Sequence, residues 1–461
     1  MTAIPYAGIR VAIVGLGPSG AYAAGHLLSN DGVDFRVDVF EKLPTPWGLV
    51  RAGVAPDHPN IKAVTRIYEK TAEHPRFTYY GNVEFGRHLS REDLLARYHA
   101  VIYAVGTPSG RGMSISGEEL PGSAAATSFV GWYNGHPDHR YAEFDLSCRR
   151  AIVIGNGNVA LDVARILALN PAELARTDIA DHALVALDRS RIEEVVVIGR
   201  RGPEQASFTH PELRQIGEMS NADAVVDSAE VTVPEQFREL RPRKTTERNL
   251  SLLQHYATRP RRGHARRVAL RFLLSPTRLL GEQRVEGIEL ERNVLERAED
   301  GSLRVRPTGA RAVVPAGLVL AAVGYRGEPL AGVPFDAARG VIANQFGRVL
   351  GPDGEPTREY VVGWAKRGPS GVVGTNKKCA SETVRALTQD LVAGRLVAPQ
   401  AEPAIDAFVR SRQPEVVSYS DWDTIDRHER EQGRRVGCPR VKLTRVSDMI
   451  DVVQAAERLS A

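Results

Sequence analysis

The sequence predicts an α/β protein with two Rossmann-like dinucleotide-binding domains, and two observations support this prediction. Short, β-branched, nearly continuous apolar runs alternate with helical patterns, which is typical of parallel strands covered on both faces. A unit of strand, glycine-rich turn and helix occurs twice, as VAIVGLGPSGAYAAGHLL (11–28) and AIVIGNGNVALDVAR (151–165). The apolar runs are VAIVGL (11–16), VDVFEK (37–42), AVIYAVGT (100–107), AIVIGN (151–156) and VVVIGRR (195–201). Between about 220 and 310, FREL, ALRFLL and GIELERN predict antiparallel strands instead.

Length and composition are typical of an ordinary soluble protein rather than of a membrane protein. The 461 residues, 43% of them hydrophobic, are enough for two or three domains with cores of their own. No apolar run approaches the roughly 20 residues that span a bilayer. The first strand follows MTAIPYAGIR at once, which leaves no room for a signal peptide, so we expect a cytoplasmic location.

The cysteines argue against a dithiol or an iron–sulfur cluster in this chain. Cys148, Cys379 and Cys438 lie far apart, and no C-x-x-C occurs among them. A redox-active disulfide and a four-thiolate cluster are therefore both disfavoured. The sequence also offers no metal-ligand cluster, so we expect no metal.

The first glycine-rich turn matches the G-x-G-x-x-G fingerprint of dinucleotide binding. Gly15 permits the tight turn, Gly17 lets a pyrophosphate approach the backbone, and Gly20 lets helix and strand pack closely. A helix beginning near Pro18 and Ser19 offers unpaired N–H groups to the phosphates. The next strand ends in Glu41, about 20 residues on, where an acidic ribose ligand is expected.

The second turn matches the G-x-G-x-x-A variant, with Gly155, Gly157 and Ala160. Its following strand ends in Arg200 and Arg201 rather than in an acid. Two guanidinium groups suit the 2′-phosphate of NADP, whereas an acid would bind the ribose hydroxyl of NAD. The alternative is that these arginines form a solvated surface corner.

Two dinucleotide sites in one chain, without a catalytic triad or a metal cluster, imply that the two cofactors react with each other. One cofactor is then FAD and the other a nicotinamide nucleotide, with hydride passing between them. The residues alone do not say where the electrons go next.

Several longer motifs carry a family resemblance over essentially the whole chain. In order they are VGLGPSGAYAA, TPWGLVRAGVAPDHPNIK (45–62), GNGNVALDVAR, IGRRGP and GWAKRGPSGVVGTNKK (363–378). Together they resemble the ferredoxin–NADP reductases of the adrenodoxin reductase type. The resemblance implies an FAD-binding domain at 1–108 and 328–461, interrupted by an NADP-binding domain at 109–327. It also implies the corresponding activity, in which NADPH supplies hydride to FAD and electrons leave one at a time.

The resemblance assigns residues to both cofactors. The FAD contacts come from the first glycine-rich turn and from later parts of the chain, and they are Gly15, Gly17, Pro18, Ser19, Gly20, Glu41, Lys42, Leu49, Val83, Trp364, Gly371, Val372 and Val373. For NADP they are Arg111, Gly157, Asn158, Val159, Ala160, Arg200, Arg201, Glu212 and Gly371. The alternative for the 364–373 segment is a tight turn beside a buried tryptophan.

His58 and Glu212 are the candidate catalytic residues, because both match positions that the family places near the active centre. Hydride transfer needs alignment rather than an acid or a base. We expect these two groups to assist proton movement at the reduced flavin. The alternative for His58 is a structural turn histidine between Asp57 and Pro59.

The expected partner is an acidic ferredoxin supplied as a separate chain. A basic stretch suits such a partner: Arg238, Arg241, Arg243, Lys244, Arg248, Arg259, Arg261, Arg262, Arg266, Arg267 and Arg271. Nucleic acid is disfavoured because no helix-turn-helix, zinc finger or stacking motif accompanies the charge. The oligomeric state stays open at this stage.

Three other functions compete with ferredoxin reduction. A flavin monooxygenase also carries two Rossmann turns, but the GW-x-KRGP-x-GVVGTNK segment fits it poorly. A disulfide reductase lacks its C-x-x-C. A nucleotide-binding sensor or an electron-feeding subunit of a larger enzyme stays possible from the residues alone.

Overall fold

The structure is a computed structural model that describes residues 6–232, 243–401 and 404–460. The chain divides into two compact units. Unit 1 comprises Met1–Val54, His58–Ser109 and Tyr325–Ala461, and unit 2 comprises Gly110–Gly324 together with Ala55–Asp57. Unit 2 is thus inserted into a discontinuous unit 1.

The described strands are β1 (Tyr6–Val14), β2 (Val33–Phe40), β3 (Phe77–Tyr80), β4 (Ala100–Tyr103), β5 (Ser109–Gly110), β6 (Ser123–Ala125), β7 (Arg150–Ile154), β8 (Glu194–Ile198), β9 (Ala222–Val226), β10 (Arg266–Arg271), β11 (Leu274–Leu280), β12 (Gly287–Arg297), β13 (Leu303–Pro315), β14 (Leu318–Ala321), β15 (Tyr325–Arg326), β16 (Phe335–Asp336), β17 (Val341–Ile342), β18 (Asn344–Gln345), β19 (Arg348–Leu350) and β20 (Pro356–Val361).

The described α-helices are α1 (Pro18–Leu28), α2 (Leu49–Ala52), α3 (Pro59–Lys62), α4 (Thr65–Ala72), α5 (Arg91–Arg97), α6 (Ala126–Tyr133), α7 (Asn158–Ala168), α8 (Pro171–Leu174), α9 (Asp181–Asp188), α10 (His210–Glu218), α11 (Lys244–Thr258), α12 (Trp364–Arg367), α13 (Thr375–Val392), α14 (Ile405–Arg412), α15 (Tyr419–Val436) and α16 (Val446–Ser460). Short 3₁₀ turns span Pro137–His139 and Pro203–Gln205.

Unit 1 is built on a seven-stranded sheet in the order β18-β19-β20-β4-β1-β2-β3. Strands β20, β4, β1, β2 and β3 are parallel, and β18 and β19 add an antiparallel hairpin at one edge. Ile13 lies between Ile102 on β4 and Val39 on β2, and all three side chains are fully buried. Helices α1 and α13 pack against each other and cover part of this sheet. Because both faces of this sheet are covered, its parallel strands are continuously apolar.

Unit 2 is built on a six-stranded parallel sheet in the order β6-β14-β7-β8-β10-β9. The helices α6, α7, α9, α10 and α11 contribute to one continuous core with this sheet. The predicted fold class, α/β with two Rossmann-like folds, is confirmed.

The sequence prediction for the middle of the chain is partly wrong. GIELERN lies in β12, which forms an antiparallel sheet with β11 and β13 as expected. Half of ALRFLL, residues 269–271, instead lies in β10, which runs parallel to β8 and β9. The last residue of that run, Leu274, begins the antiparallel strand β11. Val268, Ala269 and Leu270 are all buried, so β10 is covered on both faces, which favours the parallel arrangement. FREL (237–240) lies outside the described residues.

Candidate functional site

The first glycine-rich turn connects β1 to α1 in the way that the sequence predicts. Gly15 has a φ of 98°, and a Cβ added there would meet the Ala104 carbonyl oxygen at 2.8 Å. A Cβ on Gly20 would lie 2.1 Å from the Gly15 carbonyl oxygen. A Cβ on Gly17 meets nothing within 4 Å. Protein packing therefore requires two of these glycines, whereas it leaves open space for a side chain at Gly17.

The N-terminus of α1 is arranged to bind an anion. Gly17 occupies the N-cap position without a side-chain cap, and Pro18 begins the helix. The first-turn N–H groups of a helix have no intrahelical partner and carry the positive end of its dipole. Ser19 is buried in this first turn. A pyrophosphate fits this combination of open backbone and positive dipole.

Glu41 lies directly after β2 and its carboxylate is held at the same turn. Its Oε2 accepts from the Leu16 N–H at 2.7 Å, and Oε1 accepts from the Leu43 N–H at 3.3 Å. Burial raises the pKa of this carboxyl, against the lowering effect of those hydrogen bonds. Lys42 is exposed, and its Nζ lies 3.6 Å from Glu84 Oε1. The structure thus places Glu41, but not the Lys42 ammonium, against the glycine turn.

The WGLV segment folds back onto this turn. The Trp47 N–H donates to the Leu16 carbonyl oxygen at 2.8 Å, and a Cβ on Gly48 would lie 3.0 Å from the Gly17 Cα. Leu49 begins α2 and stays 39% exposed, which leaves an apolar side chain beside the turn. Val83 is buried in the core, with its N–H donating to the Glu41 carbonyl oxygen at 2.9 Å.

The following arginine anchors this segment to the C-terminal helices. Arg51 donates two hydrogen bonds to Glu429 of α15, Nη1 to Oε2 at 2.9 Å and Nη2 to Oε1 at 2.6 Å. Arg440 Nη1 and the Leu443 N–H also donate to this carboxylate, at 3.0 and 2.8 Å. Glu429 is fully buried. Four donors therefore hold an ionised carboxylate that fixes the position of α2.

Replacing Glu429 with glutamine should reduce the acid sensitivity of unit 1. Although burial raises the pKa of this carboxyl, the charges of Arg51 and Arg440 outweigh it, so the folded pKa lies below the ordinary 4.5. A lowered pKa stabilises the folded state above pH 4.5, and this stabilisation is lost as the pH falls further. We expect Glu429→Gln to cost about 2 kcal/mol at pH 7 and to flatten the stability curve between pH 5 and 3.

Urea denaturation at several pH values measures this effect. Glu431→Gln is the matched control, because the Glu431 carboxylate is exposed and, in the described part of the chain, forms an ion pair with Arg434 at 3.7 Å. A Glu429→Gln curve parallel to that of the unmodified protein would contradict the assignment.

The GWAKRGPSGVVGTNK segment reaches the same end of α1. A Cβ on Gly363 would lie 2.5 Å from Ser19 Oγ. Trp364 donates from Nε1 to the Ser370 carbonyl oxygen at 3.1 Å, and its ring lies 5.0 Å from that of Tyr325. Beyond it, the loop before α13 is open to solvent: Gly371 is exposed with a φ of 81°, Val372 is 59% exposed, and Val373 is half-buried. The segment therefore places Gly363 against the first turn of α1 and leaves the backbone and apolar groups of 371–372 exposed.

The second glycine-rich turn connects β7 to α7 within unit 2. Gly155 has a φ of 134°, and a Cβ on it would lie 2.2 Å from the Ala322 carbonyl oxygen. Gly157 is the N-cap of α7 and has no side-chain cap. Asn158 Oδ1 accepts from the Thr209 N–H at 2.8 Å, which ties the turn to the start of α10. Val159 is half-buried and Ala160 fully buried beneath the turn.

The cationic groups predicted for the 2′-phosphate are exposed at the end of β8. The Arg200 carbonyl oxygen accepts from Asn293 Nδ2 at 3.0 Å, and that of Arg201 accepts from the Leu273 N–H at 3.1 Å. Their backbones are thus fixed while both guanidinium groups face solvent. Within residues 6–232, 243–401 and 404–460, no ion pair is recorded for either group. Arg111 is also exposed, with its N–H bonded to the Gly324 carbonyl oxygen at 2.9 Å.

Glu212 lies in the first turn of α10 and belongs to a buried ionic cluster in unit 2. At its centre is Arg165 of α7, which is 2% exposed. Its Nη2 donates to Asp57 Oδ1 at 3.0 Å and to Asp162 Oδ1 at 2.8 Å, and its Nη1 lies 3.6 Å from Glu212 Oε2. Burial alone would lower the pKa of Arg165, but the carboxylates of Asp57 and Asp162 raise it overall. His58, the next residue after Asp57, is 7% exposed and occupies the N-cap position of α3.

Much of the predicted basic stretch is engaged within unit 2. Arg262 Nη2 donates to the Met219 and Ala222 carbonyl oxygens, both at 2.9 Å. Arg267 pairs with Glu194 at 2.7 Å, and Arg271 pairs with Glu230 at 2.8 Å. Arg238 and Arg241 lie outside the described residues. These contacts give several of the arginines a structural role that their clustering in sequence did not reveal.

Sequence reasoning missed the two ionic anchors of the site. Arg165 had a usable signal, since it is a charged residue on the apolar face of NVALDVARILAL. No signal in the sequence could have identified Glu429, because its partner Arg51 lies far away along the chain.

Comparison with known proteins settles the family. The NADPH-ferredoxin reductase FprA of Mycobacterium tuberculosis is 48% identical over 454 residues, which cover 96% of this chain and 98% of the relative. This chain belongs to the NADPH-ferredoxin reductase family. The match spans both units, so it includes both glycine-rich turns and the segments that surround the first of them. Because the named relatives are reductases, this chain is an oxidoreductase.

Further relatives agree with this assignment. Human mitochondrial NADPH:adrenodoxin oxidoreductase is 42% identical over 457 residues, covering 96% of this chain and 91% of the relative. The solved structure of Mycobacterium tuberculosis FprA in complex with NADPH has a TM-score of 0.92 at 48% identity, covering 97% of this chain and 99% of that one. No family model matches the sequence.

None of the helices in the described part of this chain is both long enough and apolar enough to cross a bilayer.

Proposed function

We propose that this chain is an NADPH–ferredoxin reductase, which takes hydride from NADPH onto FAD and passes electrons singly to a separate ferredoxin-type iron–sulfur protein. The observation that carries the proposal is the full-length similarity to NADPH-ferredoxin reductases and NADPH:adrenodoxin oxidoreductase. Two glycine-rich turns of dinucleotide-binding geometry support it independently. FAD is assigned to 1–108 with 328–461, and NADP to 109–327.

The residues of unit 1 fit FAD. The open Gly17 backbone and the uncapped start of α1 at Pro18 would hold the pyrophosphate. Glu41 lies at the same turn and would accept from a ribose hydroxyl. The exposed Leu49 and the half-buried Trp364 would line the flavin ring, together with Val83 and the 371–373 loop. Bound FAD would supply the redox chemistry, because a flavin can accept a hydride and release electrons one at a time.

The residues of unit 2 fit NADPH. The uncapped α7 N-terminus at Gly157 would bind the pyrophosphate. Arg200 and Arg201 present exposed guanidinium groups on a fixed backbone and would bind the 2′-phosphate bidentately. Arg111, Asn158 and Val159 stay predicted NADP contacts. Gly371, without a side chain, would leave room for the nicotinamide to approach the flavin.

Proton handling is assigned to His58 and Glu212. Arg165 holds the Glu212 carboxylate and the Asp57 carboxylate that directly precedes His58. This cluster would orient the Glu212 carboxylate beside the Arg165 guanidinium. The roles of both residues in the reaction stay predictions.

The anaerobic visible spectrum of the purified protein tests the proposal. We expect flavin bands that bleach with equimolar NADPH far faster than with NADH and recover as added ferredoxin is reduced. A protein that lacks flavin and cannot be reconstituted with FAD would refute the proposal, because the first glycine-rich turn would then not bind FAD. Bleaching without transfer to ferredoxin would instead favour a monooxygenase or an electron-feeding subunit.

A double variant, Arg200→Ser with Arg201→Ser, isolates the nucleotide preference. Losing two charge-assisted contacts to the 2′-phosphate should lower the second-order rate of bleaching by NADPH about 100-fold and leave that by NADH unchanged. Arg189→Ser is the matched control, because Arg189 is also exposed in unit 2 but lies at the end of α9, before β8 begins rather than after it ends. Equal losses with both nucleotides would contradict a role in binding the phosphate.

The predicted cytoplasmic location stays a prediction, and the oligomeric state is open. Cell fractionation and sedimentation of the purified protein measure them directly.

A further inference from the structure

Arg367 is a largely desolvated cation without an anionic partner in the described part of the chain. It ends α12, and its Nε and Nη1 atoms are enclosed by protein and form no hydrogen bond with the described residues. Its Nη2 donates to Asn376 Oδ1 at 3.0 Å, but that amide is neutral. No ion pair is recorded for Arg367 within residues 6–232, 243–401 and 404–460. Its positive charge is therefore not compensated by those residues.

Other arginines of unit 1 show the ordinary arrangement. Arg348 donates to both carboxylate oxygens of Asp390, from Nε at 2.7 Å and from Nη2 at 3.1 Å. Arg358 instead donates to three backbone carbonyl oxygens. Burying a charge is costly unless the charge is paired and its hydrogen bonds are satisfied. Arg367 meets neither condition, which indicates that a bound anion supplies the compensating charge.

The guanidinium of Arg367 lies beside the segments that are assigned to FAD. Asn376, which accepts from Nη2, donates from its own Nδ2 to the Val373 carbonyl oxygen at 3.2 Å. A Cβ on Gly363 would lie 3.6 Å from Asn376 Oδ1 and 2.5 Å from Ser19 Oγ, in the first turn of α1. Short contacts therefore connect the cation to the 371–373 loop and to the helix start that would hold the pyrophosphate.

We propose that Arg367 is the charge-compensating residue for FAD and that it raises the reduction potential of the bound flavin without touching it. The proposal rests on the proposed function. Arg367 ends the four-residue helix that begins with Trp364, which is assigned to the flavin ring. Because its Nε and Nη1 are enclosed by protein, the guanidinium acts through its charge and not through a hydrogen bond to the cofactor.

The sign of the effect follows from the charge that a hydride carries. Transfer of a hydride to the flavin ring adds one negative charge to it. A cation nearby, in surroundings of low dielectric constant, stabilises the more negative state. The protein therefore binds the reduced flavin more tightly than it would without Arg367, and the reduction potential rises. The competing explanation is that Arg367 only fixes the 371–373 loop through Asn376.

Arg367→Met removes the charge and keeps much of the side-chain length. We expect the preference of the protein for reduced over oxidised flavin to fall about tenfold, which lowers the two-electron midpoint potential by about 30 mV. Anaerobic reduction of the holoenzyme beside a reference dye measures this potential. Arg367→Lys keeps the charge but loses the planar fork, so its preference for reduced flavin should stay within twofold of the unmodified protein.

Two substitutions of Asn376 separate charge from loop position while Arg367 is present. Asn376→Asp keeps an oxygen beside Nη2 and supplies a carboxylate, so the potential should fall by a similar amount. Asn376→Leu removes both hydrogen bonds of the amide and adds no charge, so the potential should stay close to that of the unmodified protein. Arg385→Met is the matched control, because Arg385 is an exposed arginine on α13 whose charge is screened.

The outcomes distinguish this inference from the proposed function. An unmodified protein that reduces ferredoxin, with Arg367→Met unchanged in potential, would overturn the charge role alone. Equal falls for Arg367→Lys and Arg367→Met, or for Asn376→Leu and Asn376→Asp, would leave only a role in fixing the loop. If Arg367→Met does not retain flavin, the Asn376 pair decides between charge and position. An unmodified protein that binds no flavin would remove the proposed function and this inference together.

Discussion

Replacing Gly17 with alanine should produce a correctly folded protein that has lost its flavin. A Cβ at this position meets no protein atom within 4 Å, so we expect the stability of the apoprotein to be unchanged. The same methyl group projects from the open backbone where the pyrophosphate would approach. Overpacking at such a contact should raise the Kd for FAD about 100-fold. Flavin content after purification and calorimetric titration of FAD into apoprotein measure the change.

Gly20→Ala supplies the contrast for this prediction. Its Cβ would lie 2.1 Å from the Gly15 carbonyl oxygen, so this variant should lose stability even without FAD. If Gly17→Ala bound FAD normally, the first turn would not hold the pyrophosphate. If instead it unfolded like Gly20→Ala, the packing account of the turn would be wrong.

Replacing Arg165 with methionine should destabilise unit 2 by about 4 kcal/mol. The substitution leaves Asp57, Asp162 and Glu212 clustered without the buried cation that they share. Removing one member of a buried ionic cluster costs more than the cluster itself contributes, because the remaining charges stay desolvated. Arg165→Lys should recover part of the loss, since an ammonium keeps the charge but cannot reproduce the planar fork.

Fluorine NMR of protein labelled with 5-fluorotryptophan can follow this unfolding in unit 2 alone. Trp132 lies in the core of unit 2, and the other three of the four tryptophans belong to unit 1. Arg149→Met is the matched control, because Arg149 is an exposed arginine paired with Glu193, and it should leave the urea midpoint unchanged. Equal midpoints for Arg165→Met and Arg149→Met would mean that the cluster adds nothing to stability.

The fold was predictable where local pattern and packing agree. Continuous β-branched runs next to Gly15 and Gly155 specify a buried parallel strand entering a tight turn, and both turns adopt that geometry. The strand β10 was harder, because its arginine-rich flanks suggest exposure. Those flanking arginines instead bond backbone carbonyl oxygens and carboxylates, which no periodicity reveals.

The candidate site was predictable in its backbone and less so in its supports. Glycines and helix starts have fixed spacing, so Gly17 and Gly157 could be placed from the sequence. The ion pairs that hold the site join residues hundreds of positions apart, as Arg51 and Glu429 do.

The insertion of unit 2 also sets an order of folding during synthesis. Strand β4 cannot complete its pairing until β20 is made, since Val101 pairs with Glu359 and Ile102 with Tyr360 across more than half of the chain. The parallel sheet of unit 2 lies almost wholly within 110–324 and can form while the ribosome is still translating. The first glycine turn therefore emerges earliest but gains its neighbours Gly363 and α13 last. Pairing β4 with β20 closes a loop of more than half the chain, so we expect unit 1 to fold after unit 2. A nascent chain should therefore acquire flavin only near the end of translation.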